Sequence, residues 1–399
     1  MQLVSLPWLL AINKKNNKMA FTISGIGNYS GITFTTTQPP PPIPFYSLFT
    51  WGKNGYGQLG DGTTTNRSSP AQVGSLTDWS KITAAGYGQF GAAIKTDGTM
   101  WSWGFNAYGR LGLGDTTNRS SPVQVGALTT WLSIAGGDYI CAAIKTDGTL
   151  WSWGENYQGV LGLGNTTHYS SPKQVGALTN WSKISLGTRA FTAIKTDGTL
   201  WTWGMNYNGR LGLGNTTNYS SPKQVGNLTN WSQISHKGYV NLAIKTDGTL
   251  WGWGRNVSGN LGVGDTAHRS SPTQIGALTT WLSVACSGYG NSAIKTDGTL
   301  WTWGTNYQGV LGLGNTTHYS SPKQVGALTD WSIVSRAGNS VAAIKTDGTM
   351  WSWGYNLYGQ LGLGNTTDRS SPVQIGAQTN WYDAKMGRFN VVALYTNYQ

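Results

Sequence analysis

The sequence predicts an all-β fold, a seven-bladed β-propeller, on three observations. A Trp-Gly-x-Asn motif recurs seven times, at intervals of 50 residues after a first interval of 52. Periods of this length are typical of propellers and solenoids, in which each repeat buries its apolar face against the next. The chain holds 57 Gly and 21 Trp but only 11% charged residues, which favours an aromatic core with glycine turns. The motif begins at Trp51, Trp103, Trp153, Trp203, Trp253, Trp303 and Trp353.

Each repeat predicts four short strands, as the third repeat shows. Residues 142–146 and 149–153 form a hairpin around Asp147-Gly148, because Asp-Gly supplies the positive φ of a tight turn. The glycine-rich segment 159–164 predicts a bend against neighbouring backbone. Two more strands begin near Pro172 and Trp181. Four strands per repeat make one propeller blade.

The two ends of the repeat region predict a closed ring. The last repeat stops after the first arm of the hairpin, at residues 391–397, and the first repeat begins with the second arm, at residues 46–51. Pairing of these N- and C-terminal strands completes the last blade. It also removes the exposed sheet edges through which β proteins aggregate.

The sequence predicts three regions: an extended N-terminal arm over 1–38, a Pro-rich spacer over 39–45, and the propeller over 46–399. The prolines impose a stiff polyproline conformation, so we expect residues 19–45 to attach the propeller to a larger assembly, with a disordered tail as the alternative. An apolar run at 3–12 is followed by lysines, the reverse of a secretory signal. Met19 is an alternative start, which would leave 1–18 untranslated or disordered. No other run is long enough to cross a bilayer.

Composition and spacing predict no cofactor, no metal and no catalytic residue. Cys141 and Cys286 fall at different repeat positions, and His168 and His318 are copies of one position. The recurring Asp residues lie in Asp-Gly turns, and no His recurs beside a Ser or Cys. The formal charge of +12 invites a nucleic-acid partner. However, six lysines lie in Ile-Lys-Thr-Asp-Gly turns with an Asp two residues later, so we expect solvated turn lysines and no nucleic-acid partner.

The repeat resembles that of the regulator of chromosome condensation. The resemblance rests on Gly-Thr-Leu-Trp-Ser-Trp-Gly-x-Asn, Gly-x-Leu-Gly-Leu-Gly, Ser-Pro-x-Gln-Val and Ala-Ile-Lys-Thr-Asp-Gly, from about Tyr46 onward. It implies a seven-bladed propeller. This superfamily includes a nucleotide exchange factor for a small nuclear GTPase, a β-lactamase inhibitor protein and surface proteins, which share recognition of macromolecules. The usual His before the Ala-Leu strand is absent, and the only insertion is two residues between Trp79 and Ile94, so exchange activity is not expected.

Two repeats are identical over 156–179 and 306–329 but differ soon afterwards, at 185–191 and 335–341. One segment, which we call the window, has therefore diversified on a fixed scaffold. Equivalent connections gather around one end of a propeller axis, and Tyr, Arg, His and Asn combine contact area with directional hydrogen bonds. The predicted ring of binding residues is Tyr87, Phe90, Asp138, Tyr139, Arg189, Phe191, His236, Lys237, Tyr239, Tyr289, Asn291, Arg336, Asn339, Arg388 and Phe389.

A second variable set follows each Trp-Gly pair, with Tyr56, Tyr108 and Tyr207 close by. Drift at unpacked positions is the alternative explanation. Exposed Asn-Thr-Thr and Ser-Ser-Pro stretches have drifted far less, which favours binding. The second set is Lys53, Phe105, Glu155, Met205, Arg255, Thr305 and Tyr355.

These patterns predict a non-enzymatic binding module. The favoured hypothesis is a virion or cell-surface protein, such as a phage structural protein for host attachment, which recognises a receptor protein or glycan on a host surface. The alternative is a protein-binding or inhibitor propeller that is either intracellular or secreted. An intracellular propeller would be located in the cytoplasm of the producing cell. A GTPase exchange factor or nucleic-acid binder is less favoured.

Overall fold

The computed structural model describes residues 20–21, 34–35, 44–86 and 89–397. The chain divides into two units, Met1–Pro44 with Tyr398–Gln399, and Phe45–Asn397. In the first, strand β1 (Ala20–Phe21) pairs antiparallel with β2 (Phe34–Thr35). The rest of the predicted arm and spacer, apart from Pro44 and Phe45, lies outside the described residues. The second unit holds seven four-stranded antiparallel sheets, as predicted for a seven-bladed propeller.

The inner strand of each blade begins at a Trp, which is followed three residues later by Ile, Val or Ala. Residues from all seven inner strands line a central channel of about 300 Å³. The inner strands are β5 (Trp79–Ala84), β9 (Trp131–Gly136), β13 (Trp181–Leu186), β17 (Trp231–Lys237), β21 (Trp281–Cys286), β25 (Trp331–Ala337) and β29 (Trp381–Met386).

The second strand of each blade is the Ala-Ile-Lys strand. In six of the seven blades it is buried along its whole length. It is buried because it lies between two strands of its own sheet and is covered by the neighbouring blades. These strands are β6 (Phe90–Lys95), β10 (Ile140–Lys145), β14 (Ala190–Lys195), β18 (Val240–Lys245), β22 (Gly290–Lys295), β26 (Ser340–Lys345) and β30 (Asn390–Asn397).

The third strand carries the Trp of the Trp-Gly-x-Asn motif. Trp153 is buried, and its indole N–H donates to the carbonyl of Arg110 in the preceding blade at 3.0 Å. A Cβ on Gly112 would lie 2.7 Å from that indole nitrogen, so glycine is required where the ring inserts. The third strands are β3 (Phe45–Gly52), β7 (Met100–Gly104), β11 (Leu150–Gly154), β15 (Leu200–Gly204), β19 (Leu250–Gly254), β23 (Leu300–Gly304) and β27 (Met350–Gly354).

The outer strand carries the Ser-Pro-x-Gln segment and includes a proline, which an edge strand tolerates. The outer strands are β4 (Arg67–Gln72), β8 (Arg119–Gln124), β12 (Tyr169–Gln174), β16 (Tyr219–Gln224), β20 (Arg269–Gln274), β24 (Tyr319–Gln324) and β28 (Arg369–Gln374). Short 3₁₀ turns occur in four of the connections from third to outer strand, at Ala107–Gly109, Tyr157–Gly159, Tyr207–Gly209 and Tyr307–Gly309.

Blades 1 to 6 begin at β5, β9, β13, β17, β21 and β25, and blade 7 combines both ends of the repeat region in the order β29, β30, β3, β4. The register runs from Phe45 opposite Asn397 to Gly52 opposite Asn390. The indole of Trp51 on β3 donates to the carbonyl of Gln360 in blade 6. The predicted closure by terminal strands is therefore confirmed.

The turn lysines correct one expectation, because they are packed and not solvated. Lys145 is 8% exposed, and its ammonium lies 3.7 Å from the centre of the Trp151 ring. The Asp two residues later serves the turn: the Asp147 carboxylate accepts the N–H and hydroxyl of Thr149. This arrangement lowers the pKa of Asp147. A cation over an indole ring is a favourable packing contact.

Candidate functional site

Both variable sets lie on one face of the propeller. Antiparallel strands alternate in direction, so the connection from inner to second strand and the connection from third to outer strand emerge at the same end of each blade. The first connection is the window, and the second carries the variable set that follows Trp-Gly. We call this end of the propeller the variable face.

Hydrogen bonds join the two sets within every blade. The residue immediately before the second strand, which we call the tip residue, offers its carbonyl to the N–H of the residue after Trp-Gly, at 2.8–3.1 Å in all seven blades. In each blade, a variable residue of the window therefore lies beside a variable residue of the connection from third to outer strand. The tip residues are Gln89, Tyr139, Arg189, Tyr239, Tyr289, Asn339 and Phe389, of which Gln89 was not among the predicted binding residues.

Six predicted window residues are buried, which corrects their assignment as ligand contacts. Phe191 stacks on Trp203 with ring centroids 4.2 Å apart, and Arg336 donates to the carbonyl of Asn291 at 3.0 Å. Such side chains pack neighbouring strands and blades and do not face solvent. Tyr87 lies outside the described residues. The six buried residues are Phe90, Asp138, Phe191, His236, Asn291 and Arg336.

The other predicted window residues keep part of their surface accessible. Tyr139, Arg189, Tyr239, Tyr289, Asn339 and Phe389 are half-buried tip residues, and Lys237 and Arg388 are half-buried beside the tips. In the second set, Glu155 and Thr305 are buried, whereas Lys53, Phe105, Met205, Arg255 and Tyr355 are half-buried. The structure thus brings together about half of the predicted residues as an accessible surface.

One cluster on this face has its charges paired internally. The Glu155 carboxylate accepts two bonds of 3.0 Å from the Arg189 guanidinium. Bidentate arginine–carboxylate pairs of this kind are stronger than hydrogen bonds between neutral groups. Arg189 also lies over the rings of Tyr139 and Tyr157, at 5.1 and 4.6 Å. The paired carboxylate raises the pKa of Arg189.

Exposed apolar side chains form a ring on the variable face, with one contributed by each blade. They lie in the connection from third to outer strand, one or two residues before the glycine that packs against the outer strand of the next blade. The exposed fraction reaches 63% at Tyr207 and 55% at Tyr307. We call this set the apolar ring: Tyr56, Tyr108, Tyr157, Tyr207, Val257, Tyr307 and Leu357. The sequence signal for it was an apolar residue at one of two adjacent positions in every repeat.

The motif Asn holds this connection in place. The Asn206 side chain is fully buried; its oxygen accepts the N–H of Leu211 at 2.9 Å, and its amide donates to the carbonyl and side-chain oxygens of Asn215 at 3.0 and 3.1 Å. A buried amide with its bonds satisfied fixes the loop that carries Met205 and Tyr207. The recurrence of Asn in every repeat therefore has a structural cause.

A pocket opens on the variable face between blades 3 and 4. Its volume is about 470 Å³, and its lining includes Met205, Tyr207, Arg210, Tyr239, Arg255 and His268. The Arg210 guanidinium lies 4.2 Å from the Tyr239 ring centre. His268 accepts the N–H of Asn256 through Nδ1 at 3.0 Å, so its neutral ring carries the proton on Nε2. The pocket combines aromatic, cationic and thioether groups.

The channel mouth on the same face is closed partly by Lys237. Its ammonium donates to the carbonyl of Met386, across the channel in blade 7, at 2.9 Å. Burial lowers the pKa of Lys237 to about 8. His236 lies behind it against Thr192, and burial lowers the pKa of His236 to about 3. Lys237 thus joins the inner strands of blades 4 and 7, and the His236 ring joins the inner strand of blade 4 to the second strand of blade 3.

The opposite face varies less from blade to blade, mainly at the residue after the first Trp of the inner strand, which exposes Leu132, Leu282 and Tyr382. It carries the Asp-Gly turns and an exposed leucine in six blades, at 44–47% exposure. These leucines are Leu76, Leu128, Leu178, Leu228, Leu278 and Leu328. Variation between blades is therefore concentrated on the variable face.

Comparison with protein families gives two matches. The RCC1-like domain matches residues 129–393, and the regulator of chromosome condensation (RCC1) repeat matches residues 47–92 and 97–144. The first match alone covers more than half of the chain. This chain belongs to the RCC1-like domain family. The family resemblance noted from the repeat motifs is confirmed.

Relatives of this RCC1-like chain match it over single stretches. Human HERC3, a probable E3 ubiquitin-protein ligase, is 40% identical over 84 residues, which are 21% of this chain and 8% of HERC3. The ultraviolet-B receptor UVR8 of Arabidopsis thaliana is 41% identical over 76 residues, 19% of this chain and 17% of the receptor. The matched stretches thus span less than a fifth of either relative.

Solved structures show the same fold. Human WBSCR16 superposes with a TM-score of 0.77 at 21% identity, covering 88% of this chain and 98% of its own. Prp20p of Saccharomyces cerevisiae superposes with a TM-score of 0.78 at 18% identity, covering 89% and 92%. At this identity the likeness establishes the propeller architecture of the RCC1-like chain and nothing further.

Within the described ranges, no helix has the length and apolar character to cross a membrane. No group of three or more His, Cys, Asp or Glu side chains among the described residues is placed to hold a metal ion. His168 and His318 each accept a backbone N–H through Nδ1, from Asn156 and Asn306.

Proposed function

We propose that this chain is a non-enzymatic protein-binding propeller that contacts its partner through the variable face. One observation carries the proposal: seven exposed apolar side chains, one per blade, lie on the face where the repeats differ. Exposed apolar side chains gathered on one face and accompanied by polar groups are typical of a protein interface. Tyrosines supply large contact area with few rotatable bonds, and the half-buried arginines beside them supply directional hydrogen bonds.

The relatives support a protein partner over other classes. The structure of yeast Prp20p was described together with its binding to Gsp1p and histones. A second structure of the yeast protein, at 17% identity, is of its complex with Kap60. Partners in these cases are proteins. For the present chain, a partner protein on the variable face fits the apolar ring better than a phosphate backbone does, because its described basic groups are partly buried against aromatic rings.

Site-specific photo-crosslinking tests this function. A benzoylphenylalanine at position 207 on the variable face should yield a saturable protein adduct in extract of the native source. The matched control places it at position 178 on the opposite face, where a similarly exposed leucine is replaced. An adduct from 207 that disappears with Tyr307→Ser supports the proposal. Equal adducts from both positions, or none from 207, would overturn it.

A second candidate is attachment to a host surface as a virion or cell-surface component. Two observations favour it: the chain has a separate N-terminal unit that includes Met1–Pro44, and the propeller has exposed tyrosines that suit stacking on sugar rings. Fractionation with mass spectrometry distinguishes the candidates. Recovery in purified particles, lost on deletion of 1–44, supports attachment through this segment to a host protein or glycan. Recovery in the cytosol alone contradicts it.

A further inference from the structure

The pocket between blades 3 and 4 concentrates positive charge without a balancing acid. We propose that it receives an acidic side chain of the partner protein, with the carboxylate held by Arg255 and Arg210 beside the Tyr239 ring. This inference rests on the proposed function, because it names the chemical group that the partner presents at one place on the variable face.

Arg210 supplies a buried charge with spare donor capacity. Its side chain is fully buried, yet its Nε donates only to the carbonyl of Tyr207 at 3.1 Å and its Nη1 only to that of Thr188 at 2.8 Å. Its Nη2 has no acceptor among the described residues. A buried cation whose acceptors are all neutral remains electrostatically uncompensated. An anion in the adjoining pocket would supply the missing charge.

Arg255 supplies the accessible donor. It is half-buried on the pocket wall, with its guanidinium 5.6 Å from the centre of the Tyr239 ring. Within the described part of the chain, no hydrogen bond or ion pair holds that guanidinium. Five N–H donors in a planar fork match the two oxygens of a carboxylate. Arg255 is therefore placed to form the first contact with an incoming acid.

Another blade pair shows that the same scaffold can place an acid near such an arginine. Arg110 in blade 1 occupies the position that Arg210 occupies in blade 3, and each faces the residue after Trp-Gly of the next blade. For Arg110 that residue is Glu155: burial lowers the pKa of Arg110, and the charge of Glu155 opposes that lowering. For Arg210 it is Arg255, whose charge lowers the pKa further. The partner's carboxylate would take the part that Glu155 takes between blades 1 and 2.

The pocket rim is suited to the rest of an acidic side chain. The Met205 thioether and the Tyr207 ring give the aliphatic stem of a glutamate an apolar contact. The neutral His268 ring presents an Nε2–H donor at the same rim. These groups favour a side-chain carboxylate on an extended stem over a bare inorganic ion.

Methyl NMR tests the proposal on the full chain. Met205 lines the pocket, whereas Met100, Met350 and Met386 are buried elsewhere and serve as internal references. With methionine methyls carbon-13 labelled, a short acetylated polyglutamate amide should shift the Met205 signal saturably, and the matched polyglutamine peptide should not. Met205→Leu assigns the signal. Arg255→Gln should weaken the glutamate interaction about tenfold, the loss expected for a charge-assisted bond.

Lys53→Gln is the matched control, because Lys53 occupies the same repeat position and its removal changes the net charge equally. It should leave the affinity within about twofold, since Lys53 belongs to blade 7, which does not line the pocket, and salt screens charges that are not in contact. Equal shifts with both peptides, no shift with either, or equal effects of the two variants would overturn the carboxylate site. A shift with a sialylated oligosaccharide but not with polyglutamate would assign the pocket to an acidic glycan and also contradict the proposal.

The outcome is separable from that of the proposed function. An adduct from position 207 that survives Arg255→Gln unchanged contradicts the carboxylate site but leaves the protein-binding face intact. Absence of any adduct contradicts the protein-binding face, even when polyglutamate shifts Met205.

Discussion

Single residues show that a side chain can vary between repeats without being accessible. Arg189 and Phe191 are two residues apart in the same blade, yet Arg189 is half-buried on the face and Phe191 is fully buried against Trp203. The buried member fills space between strands. Variation at buried positions therefore records repacking between strands and blades, whereas variation at tip residues is open to selection for a partner.

His236 gives a pH-dependent stability that exposed histidines do not. Because burial lowers its pKa to about 3 from 6.5, the unfolded chain binds the extra proton between these values. The contribution to stability is complete above pH 6.5 and declines as the pH falls towards 3, by up to about 1.4 kcal/mol per pH unit.

We therefore expect His236→Gln to flatten the acid side of the stability profile. Between pH 7 and pH 5, the wild type should lose about 2 kcal/mol more unfolding free energy than the variant in urea titrations. His318→Gln, at an exposed copy of a repeat position, is the control and should follow the wild type. Parallel profiles for wild type and His236→Gln would refute the assigned role of burial.

At the scale of elements, the connection from third to outer strand depends on its buried Asn. Replacing Asn206 by Ala removes three hydrogen bonds and leaves the N–H of Leu211 and the carbonyl of Asn215 without that partner. We expect a loss of about 2–4 kcal/mol in unfolding free energy, because buried polar groups lose their bonds. Denaturant unfolding measures it. Thr216→Ala, in an exposed part of the same loop, should cost less than about 0.5 kcal/mol, and a similar loss in both variants would contradict the role of Asn206.

The strands and turns of each blade were predictable from local sequence, whereas the accessible site was predictable only in part. Asp147-Gly148 fixes its turn through bonds to the next residues, so residue type alone sufficed. The burial of Arg336 depends on the blade before it, where Gly290 leaves room for the guanidinium. That contact joins residues far apart in sequence, which no local pattern reports. The apolar ring, in contrast, was predictable by aligning the repeats, because each repeat has an apolar residue at one of the same two adjacent positions.

At the scale of the whole molecule, one sheet joins both ends of the ring. Residues 390–397 form the second strand of blade 7 and cover Trp51 and Leu48 together with the neighbouring blades. Without β30, strands β29 and β3 lose their shared partner and expose their edges. The stability of the ring therefore depends on a strand at the end of the described chain.

Paired deletions test this dependence. Removing residues 390–399 should abolish cooperative unfolding or lower the melting temperature by more than about 10 °C, with aggregation through the open edges. Removing residues 1–43 should leave the propeller transition nearly unchanged, since β3 begins at Phe45. Calorimetry and light scattering measure both. An unchanged transition after the first deletion would contradict closure as the source of stability.

The central claim is that the variable face, and not the less variable opposite face, binds a partner protein. Hydrogen–deuterium exchange on the complex with the crosslinked and purified partner tests it most directly. We predict slower exchange in the window connections and in the connections from third to outer strand, strongest around residues 205–210 and 255–259. Protection confined to the Asp-Gly turns and the leucine connections of the opposite face would contradict the claim.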